Sequence, residues 1–196
     1  QAAACADAVI TSGGVSVGEA DHTKQVMREL GEVLFWKIAM RPGKPLMAGT
    51  LGNAVVLGLP GNPVSAFVTA ILFAQPVIAA LSGAHTPLPP HHEARLAAPL
   101  PAVAKRTDHI RARLENALAT PVGLNDSAAL QALSQANALI VRQAGSPAAA
   151  VGDHAAVLSL DLARGGLALG HVGQVLRGVG VAKQFGHVKV MPRITR

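Results

Sequence analysis

Asp7-Ala-Val-Ile-Thr-Ser-Gly-Gly14 is the stretch on which the fold turns. A compact apolar run that breaks into Ser12-Gly13-Gly14 predicts a short buried strand feeding a glycine-rich loop. After Gly18-Glu-Ala-Asp21, Val26 and Leu30 stand four apart with Lys24, Arg28 and Glu29 between them, the spacing of a short amphipathic helix closed by Gly31. Strand, loop and helix in that order indicate an α/β architecture. Further strands are expected at 33–38 and 54–57, with Arg41-Pro-Gly-Lys-Pro45 as a rigid turn between them and a short run at 46–48. Gly61-Asn-Pro63 then opens an apolar helix, Asn62 serving as N-cap and Pro63 taking the first helical position, where its missing N–H costs nothing. Ser82-Gly83 closes that helix.

A proline-rich linker between 84 and 92 marks a domain boundary, giving a first domain over 1–87 and a second over 88–162. Runs at 93–100, 108–116, 138–142 and 151–160 read as strands, and Asp126-Ser127 as the cap of a single helix over 128–136, so the second domain is expected to be small and mostly β. From 163 to 196, Gly, Val and basic residues recur without a continuous apolar face. That stretch is expected to be a solvated basic extension of no assigned role, whose removal leaves the folded body intact.

The composition narrows the function. Half of the 196 residues are hydrophobic and 14% charged, with a mean hydropathy of +0.36, too apolar for a disordered chain. Aromatic content is 3% with no Tyr, which argues against a surface that stacks single-stranded bases. The net charge of +6 invites a nucleic-acid reading, yet residues 1–162 hold 11 basic against 11 acidic groups and 163–196 hold six basic groups and no acid. The body is neutral, so no nucleic-acid partner is expected. Val64 to Leu81 runs 18 residues without a charge. Ser65, Thr69, Gln75 and Pro76 interrupt it and no basic or aromatic anchors flank it, so a core helix is expected and no membrane. A lone Cys5 fits a reducing, cytoplasmic setting. The chain starts at Gln1 without Met and reads as a piece of something longer.

Three features carry chemistry. In the loop Ser12, Gly13, Gly14, Ser16 and Gly18, glycines let backbone N–H groups approach an oxyanion, and the two serines add hydroxyl donors. The same loop serves equally as a ligand-free strand-to-helix turn. Lys37, Arg41 and Lys44 surround the proline-clamped turn, which presents cations at low entropic cost, and a solvated basic hairpin is the plain alternative. Gly58-Leu-Pro-Gly-Asn-Pro-Val-Ser65 supplies a helix start on the same α/β unit, and strand ends of one sheet converge on one edge. Asp21 and Glu19 follow the loop, where a carboxylate beside phosphates suits Mg²⁺ and equally caps a helix. His22, His91 and His92 lack metal-ligand spacing.

Beyond these physical readings, Thr11-Ser-Gly-Gly-Val-Ser-Val-Gly-Glu-Ala-Asp-His-Thr, Phe35-Trp-Lys-Ile-Ala-Met-Arg-Pro-Gly-Lys-Pro45 and Gly58-Leu-Pro-Gly-Asn-Pro-Val-Ser65 resemble, in order and spacing, the molybdopterin molybdenumtransferases, the family of bacterial MoeA and the gephyrin E domain. The resemblance continues through Arg106-Thr107-Asp108, Arg111 to Asn116, Asp126-Ser127 and Ala138 to Arg142, covering roughly 4–162. It implies a partial three-layer αβα molybdopterin-binding domain followed by a small β domain. It implies a transferase of molybdenum cofactor biosynthesis that inserts molybdate into adenylylated molybdopterin with release of AMP, using Mg²⁺. Carried over by position, Ser12, Gly13, Gly14, Ser16, Gly18, Pro60, Gly61, Asn62, Pro63, Ser65 and Ser127 bind substrate. Asp21, Lys37, Arg41 and Lys44 form the active site, Asp21 holding the metal. Family members carry further N-terminal domains and complete their site across a homodimer, so little insertion activity is expected of this chain alone. The rival readings are an enzyme resembling molybdopterin adenylyltransferase and a non-catalytic molybdopterin-binding scaffold.

Overall fold

In the computed structural model, which describes residues 1–14, 22–85, 88–123, 129–160 and 188–191, Ala8–Ser12 is the strand β1 that its apolar run predicts. The elements that follow are α1 (His22–Leu30), β2 (Glu32–Phe35), β3 (Met40–Arg41), β4 (Met47–Leu51), β5 (Ala54–Leu59), α2 (Pro63–Thr69), α3 (Gln75–Leu81), β6 (His91–Leu96), β7 (Thr107–Glu115), β8 (Leu118–Pro121), α4 (Ala129–Gln135), β9 (Ala138–Arg142), β10 (His154–Ser159) and β11 (Val188–Met191). They form two units. Of the described residues, the first holds Gln1–Ile38, Gly43–Leu88 and β11, the second Ala39–Pro42 and those from Pro89 to Leu160.

The first unit is a mixed sheet in the order β11-β1-β5-β4-β2. β1 and β5 run parallel, whereas β4 is antiparallel to both of its neighbours, β5 and β2. Alternation along the strands splits the core in two. Val9, Met47 and Val56 pack with Met27 of α1 and with Trp36 on one face, while Ile10, Ala48 and Leu57 meet Ala70, Ala74 and Val77 of the second helical run on the other. Helices therefore cover both faces, the three-layer arrangement expected. Met27 and Met47 are almost wholly buried, and each contributes about 2 kcal/mol of apolar transfer.

The helical run behaves as its ends predict. Asn62 is extended (φ −68°, ψ 126°) and its Oδ1 accepts from the Ser65 N–H at 3.1 Å, with Pro63 as the first helical residue. The run is not uniform, because Ala70–Ala74 forms a π turn between α2 and α3. Pro76 explains it: a proline offers no N–H and its ring crowds the carbonyl four residues back, so the ladder widens just ahead of it. The 19-residue stretch Pro63–Leu81 is long and apolar enough to cross a membrane by length and composition, yet Val64, Val68, Thr69, Ile71, Ala74, Pro76 and Ala79 are buried within the protein.

The second unit closes into a barrel. β7 pairs with β8, β8 with β6, β6 with β10, β10 with β9, and β9 returns to β7. Ala94, Leu96, Ala112, Ile140 and Val157 fill its interior, and Leu100 joins them. Three strands depart from expectation. β8 follows a two-residue turn at Asn116 and Ala117, both with positive φ (51° and 60°), a hairpin that its sequence hides because alanine rarely stands there. β3 is an excursion of the proline-clamped turn into the second unit, where Met40 and Arg41 pair with Thr107 and Asp108. β11, expected to be solvated chain, lies antiparallel against β1 with Val9 opposite Val190. Four residues carry too little pattern to announce such an edge strand.

Candidate functional site

Strand polarity builds the site. β1 and β5 end side by side, with Ser12 in register with Leu59, and the Gly13 N–H donates to the Leu59 carbonyl at 3.0 Å. The chain then turns through Gly13 (φ 83°) and Gly14 (φ 68°), a left-handed pair that only glycines adopt without strain. Across from it, a Cβ placed on Gly61 would lie 3.6 Å from the Gly13 Cα, so the two loops touch backbone to backbone. Gly61, Asn62 and Pro63 are exposed and Pro60 is buried beneath them. Ser65 closes the cap through its own N–H. The structure thus brings Ser12, Gly13 and Gly14 together with Pro60, Gly61, Asn62, Pro63 and Ser65. Beside them the Thr11 hydroxyl is buried and, among the described residues, has no hydrogen-bond partner.

The same edge receives two lysines. β2 runs in the sense of β1 and ends at Phe35, which pairs with Ala48, so Lys37 follows at the edge where Ser12 and Leu59 end. β4 begins there, Met47 pairing with Gly58, so Lys44 precedes it at that edge. The Ile38 N–H donates to the Lys44 carbonyl at 3.1 Å and ties the two approaches together. Both lysines are exposed, and among the described residues neither has an ion-pair partner. Two unpaired ammonium groups, a glycine turn and a capped helix start on one edge suit an oxyanion.

Arg41 behaves differently. The sequence groups it with Lys37 and Lys44, but the structure assigns it to the second unit. There its Nε and Nη2 donate to Asp108 Oδ1 and Oδ2 at 2.9 and 2.5 Å. The carboxylate is 8% exposed and the guanidinium 62%, so one edge of the fork is committed and the rest faces solvent. Asp108 is the residue that sequence reasoning missed. The Arg106-Thr107-Asp108 motif signalled it without revealing its partner. Next to it, burial lowers the pKa of His109 from its ordinary value to about 4, Asp108 acting to raise it and His91 to lower it.

Ser16, Gly18, Asp21 and Ser127 lie outside the described residues. Among the described residues no three of His, Cys, Asp and Glu come together as a metal site.

Comparison with known proteins fits this geometry. Residues 1–80 match the family model described as "Probable molybdopterin binding domain", and residues 93–160 match "MoeA C-terminal region (domain IV)". The chain belongs to the MoeA family. It is 60% identical over 90 residues to a molybdopterin molybdenumtransferase of Haemophilus influenzae, covering 45% of this chain and 22% of that protein. With the Bacillus subtilis protein of the same name it shares 37% over 145 residues, 71% of this chain and 34% of the relative. The crystal structure of a molybdopterin biosynthesis MoeA protein from Pyrococcus horikosii superposes with a TM-score of 0.64 at 29% identity, covering 79% of this chain and 37% of that one. The MoeA fragment therefore spans a fifth to a little over a third of these relatives' lengths, and it carries their molybdopterin-binding and C-terminal domains in sequence.

Proposed function

We propose that the edge formed by Gly13-Gly14, Asn62 and the two lysines binds the phosphate end of molybdopterin, and that the chain serves the insertion of molybdate into adenylylated molybdopterin with release of AMP. The observation that carries this reading is the convergence of the glycine turn, the capped helix start and Lys37 and Lys44 on one end of one sheet. The names of the relatives support a transferase of molybdenum cofactor biosynthesis. The appended MoeA C-terminal region argues against a lone adenylyltransferase.

Each residue has a part that its chemistry allows. Backbone N–H groups of the glycine turn and of the helix start meet phosphate oxygens, and Ser12 adds a hydroxyl. Lys37 and Lys44 neutralise the molybdate or phosphate charge, and Arg41 belongs to the same proposal by its position in the sequence. Ser16, Gly18, Asp21 and Ser127 belong to the same proposal by position. Magnesium enters only through Asp21. Among the described residues no three His, Cys, Asp or Glu side chains cluster to hold it. A homodimer and a cytoplasmic location complete the reading, the latter in keeping with an exposed, unbridged Cys5.

Anaerobic titration with molybdopterin tests the proposal. Binding is expected to weaken as salt rises and to fall in Lys44→Ala. Equal affinity of wild type and Lys44→Ala removes Lys44 from the site, and no binding by the wild type overturns the assignment of the edge.

A further inference from the structure

A second polar site lies wholly within the second unit, where β9 and the loops after it meet the end of β6. Arg142 ends β9 with only 7% of its surface exposed. It shares an inward face with Ile140, which belongs to the barrel core, and it lines a cavity of about 430 Å³ together with Leu96, Ser146, Pro147, Ala149 and Asp153. Its Nη2 donates to the Pro147 carbonyl, while its Nη1 is buried and, among the described residues, has no hydrogen-bond partner. No carboxylate among the described residues pairs with it. The nearest candidate by register is Asp108, directly opposite on β7, but Arg41 holds both oxygens of that group. One end of the barrel thus carries two guanidinium groups for one buried carboxylate. A buried, always-charged group with a free donor is costly unless a counter-ion completes it.

We propose that this cavity binds a small organic monocarboxylate, with Arg142 as the anion-binding residue. The guanidinium already lines the space, and its Nη1 is a donor that no described residue uses. A planar fork matches a carboxylate. Three features favour that anion over phosphate. Among the described residues Arg142 is the one guanidinium or ammonium group in the lining, and the imidazole of His154 beside it already faces Glu93 at 3.6 Å. Asp153, whose Oδ2 accepts from the Ala150 N–H at 2.8 Å, stands in its wall and repels a dianion. Leu96, Pro147 and Ala149 give the remaining wall a surface suited to a short hydrocarbon body. The volume falls within the range of small-molecule sites. This site does not depend on the molybdopterin reading, because none of its residues lies in the first unit.

The test is an NMR titration of the full chain with sodium hexanoate, with hexanamide and inorganic phosphate as comparison arms. Hexanoate is expected to shift amide signals at 96 and 142–154 in a saturable manner, and hexanamide and phosphate to leave them in place. Arg142→Met is expected to weaken hexanoate binding at least about tenfold, the loss expected when a charge-assisted pair is removed. Because the substitution removes a buried unpaired charge, the melting temperature of the unliganded variant should equal or exceed that of wild type, which shows that the variant is folded. Unchanged hexanoate affinity in the folded variant, absence of saturable shifts in wild type, or equal binding of phosphate would each overturn the proposal.

Discussion

Asn62 separates the two jobs assigned to the helix start, holding the helix and meeting an anion. Its Oδ1 accepts one hydrogen bond, from the Ser65 N–H at 3.1 Å, in the extended geometry of an N-cap. Asn62→Ala deletes that bond and is expected to cost about 1 kcal/mol, or roughly 2–4 °C in melting temperature for a chain of this size. Asn62→Asp keeps the acceptor and places a negative charge at the positive end of the helix, so stability should hold or rise by about 0.3–1 kcal/mol. Binding moves the other way. A carboxylate roughly 6 Å from a bound phosphate, at a surface-like effective dielectric, opposes it by about 1–3 kcal/mol, or roughly 10- to 100-fold in affinity. Thermal melts and anaerobic molybdopterin titrations on both variants read the two effects separately. If Asn62→Asp binds as tightly as wild type, no anion sits at this helix start and the reasoning fails.

Three further outcomes follow from other parts of the structure. Arg41→Ala strands the buried Asp108 carboxylate and should cost about 1–3 kcal/mol in chemical denaturation, whereas Arg41→Lys, which cannot reproduce the two-point contact, should recover only part; equal stability of all three proteins would show the pair to be idle. Burial holds His109 neutral in the folded protein down to about pH 4, while the unfolded chain takes up a proton below about pH 6.5. Its share of stability is therefore complete above pH 6.5 and is lost as pH falls toward 4, by about 3 kcal/mol at most, and His109→Gln should flatten the stability profile across that window. A chain ending at Leu160 loses β11 and opens the edge of β1, so it should melt several degrees lower and self-associate; an unchanged melt and a monomeric profile on gel filtration would return the tail to the status of a solvated extension.

What the sequence revealed and what it hid divide along the range of the interactions. Asn62 and Pro63 announced the helix start because capping is settled within four residues, and Gly13-Gly14 announced the turn because left-handed backbone excludes most other side chains. The strands β1, β5 and β9 were legible as dense apolar runs. The partner of Arg41 was hidden because Asp108 lies 67 residues away, and nothing near Arg41 states that Ala39–Pro42 joins the second unit. Arg142 closed a predicted strand without any role assigned to it. Only closure of the barrel turns its face inward, and closure is a property of five strand pairings together. β11 and β8 failed for want of pattern, being four residues each.

Residues 1–162 are neutral in sum, but net charge says nothing about where charges stand on a sheet. β1 and β2 run in the same sense, so their first residues share one edge and their last residues the other. Asp7 precedes β1 and Glu32 begins β2, which puts both acids at the edge opposite Lys37 and Lys44. A strand of four or five residues separates the two edges by roughly 13–17 Å. That exceeds the screening length of about 8 Å at physiological salt, so Asp7 and Glu32 do not cancel Lys37 and Lys44 at the far edge, a separation that the sum over the sequence conceals.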